Sequence, residues 1–268
     1  MFTKMDDGIL FCGQGAGVQA VECDTGIFRA FEEKGIIPGQ ALTSSGSTLF
    51  SSLYYSGHNT DWFHCLMDNV GLNKFFTISP KGIVNTVTGG ARHMLNNDGV
   101  KSILEKYMTG DATLRVKTSI TRMRDWSTHI TAATPATALA ATSIPFIFKP
   151  VKIGEDLFVD GGVLNNIPVP RIEDLDNYKH VFVFLAPPSI NNSLEDPLVI
   201  ELAQLLLAVM DREVKQLIEV GYFDHPNVTL IRPESGFDGN LLSWSTDKKL
   251  EQSCYELTKE ILKDVKLD

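Results

Sequence analysis

Residues 181–186 read VFVFLA, an unbroken apolar run closed by Pro187-Pro188. A strand with one face in water alternates apolar and polar residues. A strand apolar at every position is covered on both faces, which is the habit of a parallel sheet. Gly8-Ile9-Leu10-Phe11-Cys12, near the start of the chain, has the same character. Between these runs the period changes to that of helices. Residues 25–34 (TGIFRAFEEK) put Ile27, Phe28 and Phe31 on one face and stop at Gly35. Residues 40–44 (QALTS) read as a second strand, after which Leu49, Phe50, Leu53 and Tyr54 recur at helical spacing. A helix is expected over 98–108. A long one is expected over about 196–220, with Leu202, Leu205, Leu206, Val209, Leu217 and Ile218 toward the core. Another starts near 246, where Leu250, Cys254, Leu257 and Ile261 repeat, while 112–121 and 227–231 suit strands. Residues 57–97 carry no sustained period. The aromatic segment 59–80 within them is expected to include a flap over the site. Strands alternating with helices predict an α/β fold whose mostly parallel sheet is covered on both sides.

At 268 residues, 43% hydrophobic and 21% charged, the chain can bury one large core, so residues 1–268 are read as a single domain. A formal net charge of −9 argues against a nucleic-acid partner, which needs a basic footprint. It also disfavours simple electrostatic capture by an anionic membrane. The four cysteines (Cys12, Cys23, Cys65 and Cys254) are scattered without a CxxC pair or matching histidines, so no metal site is expected. Reduced thiols fit a cytoplasmic protein. Met1 to Asp7 lacks the apolar core of a signal peptide, and no run approaches 18 uninterrupted apolar residues. Any membrane contact is therefore read as peripheral.

Three turns carry the candidate chemistry. The first, Gly13-Gln14-Gly15-Ala16-Gly17, lies between a strand and a helix. It could be a dinucleotide fingerprint, a tight turn without a ligand, or an oxyanion hole in which freed backbone N–H groups face a developing negative charge. The fingerprint expects an acid at the end of the second strand, and Leu42-Thr43-Ser44 stands there instead. The second turn, Thr43-Ser44-Ser45-Gly46-Ser47, has the strand–turn–helix context of a nucleophile elbow, with Thr43 and Ser47 where that motif has glycine. The same residues would also serve as an N-cap and loop. Ser44 and Ser47 are rival nucleophiles by composition. Ser45 is preferred because it is last before the turn and is followed by Gly46.

The third turn is in LFVDGGVLNNIPV (157–169), where an apolar strand ends in Asp160 before Gly161-Gly162. Asp-Gly commonly closes a hairpin. Alternatively, a carboxylate made more basic by partial burial can take the proton of an attacking serine. The six histidines (His58, His64, His93, His129, His180 and His225) lie in no comparable turn. A histidine-containing triad stays open at this point, since triad partners are neighbours in space and not in sequence.

Glycine loop, serine elbow and VDGG turn, in that order, resemble the patatin-like phospholipases over roughly 8–65 and 130–170. The first block includes GIFRAFEEKGIIP (26–38). The more specific second block includes Ala141-Thr142-Ser143-Ile144-Pro145 and VDGGVLNNIPV. The resemblance implies a three-layer α/β/α sandwich and a Ser–Asp dyad. Ser45, seven residues after Pro38, falls on the family's nucleophile, and Asp160 falls on its catalytic aspartate. Gly13, Gln14, Gly15, Ala16 and Gly17, with Gly46, would form the oxyanion hole, although Gln14 stands where the family usually has glycine. No metal or cofactor is implied. The expected substrate is a lipid or phospholipid fatty acyl ester. Two alternatives are carried forward: a catalytically impaired lipid-binding or scaffolding protein, and an esterase or acyltransferase acting on soluble acyl donors.

Overall fold

The structure, a computed structural model, describes residues 5–75, 77–78, 93–186, 197–234 and 248–265. Strand β1 (Met5–Gly13) runs into the glycine loop and is followed by α1 (Val18–Lys34). β2 (Ile37–Thr43) leads directly into α2 (Ser45–Tyr54), and α3 (Thr60–Phe75) comes next. Short strands β3 (Thr77–Ile78) and β4 (His93–Asn96) precede α4 (Asp98–Tyr107) and α5 (Gly110–Arg115). The middle of the chain supplies β5 (Val116–Arg122), β6 (Ser127–Ala132), α6 (Pro135–Ala141), β7 (Phe146–Phe148), β8 (Val151–Ile153) and β9 (Asp156–Asp160). β10 (His180–Phe184), α7 (Pro197–Glu219), β11 (Val228–Ile231) and α8 (Lys249–Asp264) follow.

The main sheet has 8 strands in the order β11-β10-β1-β2-β5-β9-β8, with β6 paired to β5 off that path. Pairs from β11 to β5 are parallel, whereas β5–β9, β9–β8 and β5–β6 are antiparallel. Period-two alternation along the central strands separates two apolar layers. Ile9, Phe11, Phe182 and Phe184 face Phe28 and Phe31 of α1 and Leu250 and Cys254 of α8. Leu10, Cys12, Val181 and Val183 face the other way, toward Val214 and Leu217 of α7 and Tyr222. Helices thus cover both faces of a mostly parallel sheet, as the doubly apolar strands predict. Edge-to-face rings reinforce the first layer, with Phe11 and Phe28 centroids 4.9 Å apart and Phe28 and Tyr54 4.6 Å apart.

Several boundaries differ from those expected. α1 begins at Val18 rather than near 25, because its first two turns are buried on every side. Gln19, Glu22 and Asp24 are as enclosed as Val21 and Cys23, so no amphipathic stripe marks them. Its end at Gly35 is as expected, and that glycine takes the left-handed conformation (φ 73°) of a helix C-cap. The strand expected over 112–121 starts only at Val116. Before it, Asp111 in the first turn and Arg115 in the last suit the dipole of the short helix α5. Ile218, expected in the core, is 58% exposed, while the side chains of Leu202, Leu205 and Leu206 lie outside the described residues. The expected flap over 59–80 coincides largely with α3. Its Phe63 is buried against Phe50 at 4.5 Å between centroids, while residues 76, 79 and 80 lie outside the described residues. No described helix is long and apolar enough to cross a membrane.

Candidate active site

The site forms at the carboxyl ends of β1 and β2, which lie side by side with Gly13 opposite Thr43. Ser44 is extended, and Ser45 opens α2 at φ 48°, a left-handed value that costs a residue with a side chain. The tight packing of the elbow on the glycine loop maintains this conformation. A Cβ at Gly46 would overlap the carbonyl oxygen of Gly17, and one at Gly13 would overlap Ser47 Oγ. Ser47 can therefore occupy a position where an elbow usually has glycine because Gly13 opposite it has no side chain.

Asp160 arrives from the antiparallel part of the sheet, at the end of β9 and opposite Ile120 of β5. Its own N–H donates to Ser143 C=O at 3.0 Å. The chain then turns through a 3-10 segment, Gly161–Val163, and not through a hairpin. A Cβ at Gly161 would overlap the carbonyl oxygen of Ser119, so only glycine lets this turn lie against β5.

Ser45 Oγ donates to Asp160 Oδ2 at 2.6 Å, and the N–H of Gly162 donates to Oδ1 at 2.8 Å. Asp160 is only 3% exposed and Ser45 6%. Burial pushes the Asp160 carboxyl up to about 7, against the opposing pull of the Ser45 and Gly162 hydrogen bonds. A carboxylate with that basicity, in hydrogen-bond contact with a hydroxyl, can take the hydroxyl proton near neutral pH.

The rival serines are disposed differently. Ser44 is fully buried. Ser47, also fully buried, donates to Asp24 Oδ2 at 2.6 Å, and burial raises the Asp24 carboxyl well above its ordinary range. The Thr43 hydroxyl packs 3.0 Å from that of Thr48. Hydrogen-bond partners therefore exist for both side chains that replace elbow glycines. No described histidine side chain contacts Ser45 or Asp160. His64 meets Glu251, His180 meets Thr229, and His58 stacks on Trp62.

In the glycine loop the space left by Gly15 is filled by protein. A Cβ there would lie 2.6 Å from Ser45 Cβ and would overlap Asn166 Oδ1, so this glycine is required by the packing of the loop against the elbow and the Asn166 turn. Gln14 N–H donates to Phe184 C=O at 3.3 Å and Gly15 N–H to Asn166 C=O at 3.2 Å. These two expected oxyanion donors are thus committed to carbonyls of the fold. The N–H groups of Ala16 and Gly17 have no protein acceptor among the described residues. The Gln14 side chain takes a structural role, its Oε1 accepting from Ala186 N–H at 2.6 Å.

Two residues not assigned a role from the sequence hold this loop. Asn166 Nδ2 donates to Gly15 C=O at 2.8 Å. Glu213 of α7 accepts from Asn166 N–H at 3.0 Å and from Ile167 N–H at 3.1 Å. Nothing in the local pattern distinguishes Glu213 from a solvent-facing glutamate. Asn166 stands beside Asn165 in the sequence, and nothing local marks which of the two turns inward. Among the described residues no group of His, Cys, Asp and Glu is placed to hold a metal ion.

A family model described as patatin-like phospholipase matches residues 25–171. The crystal structure of VipD from Legionella pneumophila is similar over 95% of this chain and 66% of that one, at 12% identity and a TM-score of 0.48. The chain thus spans just under two thirds of that protein's length in the crystal. No curated protein sequence matches.

Proposed function

Because this chain belongs to the patatin-like phospholipase family of lipid acyl hydrolases, we propose that it cleaves fatty acyl esters of phospholipids or related lipids through a Ser45–Asp160 dyad. The observation that carries this reading is the 2.6 Å hydrogen bond from Ser45 Oγ to a buried carboxylate. As Ser45 Oγ attacks the ester carbonyl, its proton passes to Asp160 Oδ2. The oxyanion so formed is met by backbone N–H groups, for which Ala16, Gly17 and Gly46 are the candidates. Collapse of the tetrahedral intermediate expels the alcohol, which takes the proton back from Asp160. Water, deprotonated by the same carboxylate, then releases the fatty acid from Ser45. Gly162 N–H holds the other carboxylate oxygen, so the base presents Oδ2 to serine in every cycle. We infer further that the protein works in the cytoplasm and meets lipid peripherally; four cysteines scattered without a disulfide framework accord with that compartment.

Ser45→Ala and Asp160→Asn should each abolish ester turnover, a loss of about 10⁴-fold or more, while the melting transition stays cooperative. A fluorophosphonate probe should label the wild-type chain at Ser45 and leave Ser45→Ala unlabelled. Retained turnover in either purified variant sinks the dyad. Intact folding with no labelling of the wild type would favour the lipid-binding alternative, to which the committed N–H groups of Gln14 and Gly15 lend support.

A further inference from the structure

A cleft of about 760 Å³ opens between α4, α6 and β8, and neither Ser45, Asp160 nor the glycine loop lines it. Its volume lies within the range of roughly 300–1,000 Å³ common for small-molecule sites. Leu139, Pro150, Val151 and Leu157 give it an apolar lining, and Leu157 is left 45% exposed. Lys149 and Lys152 stand on the β8 side. Neither forms an ion pair among the described residues, in a chain whose net charge is −9. The acids of the cleft are on the opposite wall and have partners there. Glu105 pairs with Lys101 at 3.8 Å, and Asp98 accepts from Asn96 Nδ2 at 2.5 Å.

Exposed apolar surface beneath unpaired ammonium groups is complementary to an alkyl chain with an anionic head. We propose that this cleft is a second binding site that takes a fatty carboxylate. The chain lies along Leu139, Val151 and Leu157, and the carboxylate meets Lys149 and Lys152. The site also reaches the catalytic machinery through the backbone. Asn97, on its wall, donates through Nδ2 to Ser143 Oγ at 2.8 Å, and Ser143 C=O accepts the N–H of Asp160 at 3.0 Å.

Equilibrium binding of dodecanoate to the full chain, below its micellar concentration and at about pH 8 where the carboxylate is ionised, tests this. Saturable binding is expected, with dodecanol at least about tenfold weaker. Lys149→Ala/Lys152→Ala should weaken dodecanoate about tenfold or more without moving the melting temperature. Ala136→Trp, at an exposed position on the rim, should fill the cleft and remove binding. Equal affinity for dodecanol, or dodecanoate binding unchanged in both variants, overturns the proposal, and the latter result would put the ligand outside this cleft. Absence of saturable binding overturns it as well. None of these measurements needs turnover, so failure of the Ser45–Asp160 reading leaves them interpretable.

Discussion

At Asp160 the cost of burying a charge and the need for a base meet in one group. Its folded value of about 7 lies above the ordinary carboxylate value of about 3.9, so the folded state holds a proton that the unfolded chain releases. Below about pH 4 both states are protonated and the group does not oppose folding. From there stability falls as pH rises through about 7, beyond which the loss is complete. Asp160→Asn escapes this penalty. Its Oδ1 can take the Gly162 N–H while its Nδ2 donates to Ser45 Oγ, so both neighbours stay satisfied. The variant should therefore melt above the wild type at about pH 8 and close to it at about pH 4. Over the same interval wild-type kcat/KM should climb and level off with an apparent pKa of about 7. A flat rate profile between about pH 5 and 9, or a melting-temperature gap independent of pH, contradicts the assignment of Asp160 as the titrating base.

At the scale of elements, the site depends on turns interlocking across long sequence separations, and here legibility from sequence divides. The strand–turn–helix around Ser45 and the end of β9 at Asp160 were readable because glycine, proline and apolar periodicity are local signals. Their closure on each other follows from the family resemblance and not from any local pattern. Ser47 is accommodated by Gly13 and by Asp24, 23 positions away, and Gly15 is fixed by Asn166, 151 positions away. The buried start of α1 was missed for a related reason, since a helix enclosed on all sides shows no polar face. Glu213 joins α7 to this assembly. Removing its carboxylate in Glu213→Ala leaves the N–H groups of Asn166 and Ile167 without their acceptor, at a cost of about 1–3 kcal/mol each if they stay buried. The loop beside Ser45 should then loosen, lowering kcat by about tenfold or more with little change in KM. Glu213→Gln keeps one acceptor oxygen in place and should recover most of kcat. A merely destabilising role predicts instead a lower melting temperature with kcat per folded molecule unchanged, a difference that active-site titration and calorimetry separate.

At the scale of the whole molecule, the family match over 25–171 omits β1, β10 and β11, which form three of the five strands in the parallel part of the sheet. It also omits α8, which seals α1 through Leu250, Cys254 and Leu262. We propose that residues 1–268 form one domain, because neither apolar layer among the described residues is complete without these elements. At the α1–α8 crossing a Cβ on Gly26 would collide with the carbonyl oxygen of Glu251, and Arg29 pairs with Glu251 at 2.8 Å beside it. Backbone lies on both sides of that contact, so Gly26→Ala must push the helices apart. Such overpacking costs about 1–3 kcal/mol, which at about 2–4 °C per kcal/mol for a chain of this size lowers the melting temperature by several degrees. The effect should appear as a shift of one transition, because α8 shares its core with the sheet. The fragment 1–171 provides the sharper comparison. It leaves β1 without β10 and exposes Ile27, Phe28 and Phe31, so it should show neither a cooperative melt nor monomeric behaviour in sedimentation. A cooperative transition in that fragment would mean that the first 171 residues fold by themselves, and the single core spanning both ends of the chain would have to be abandoned.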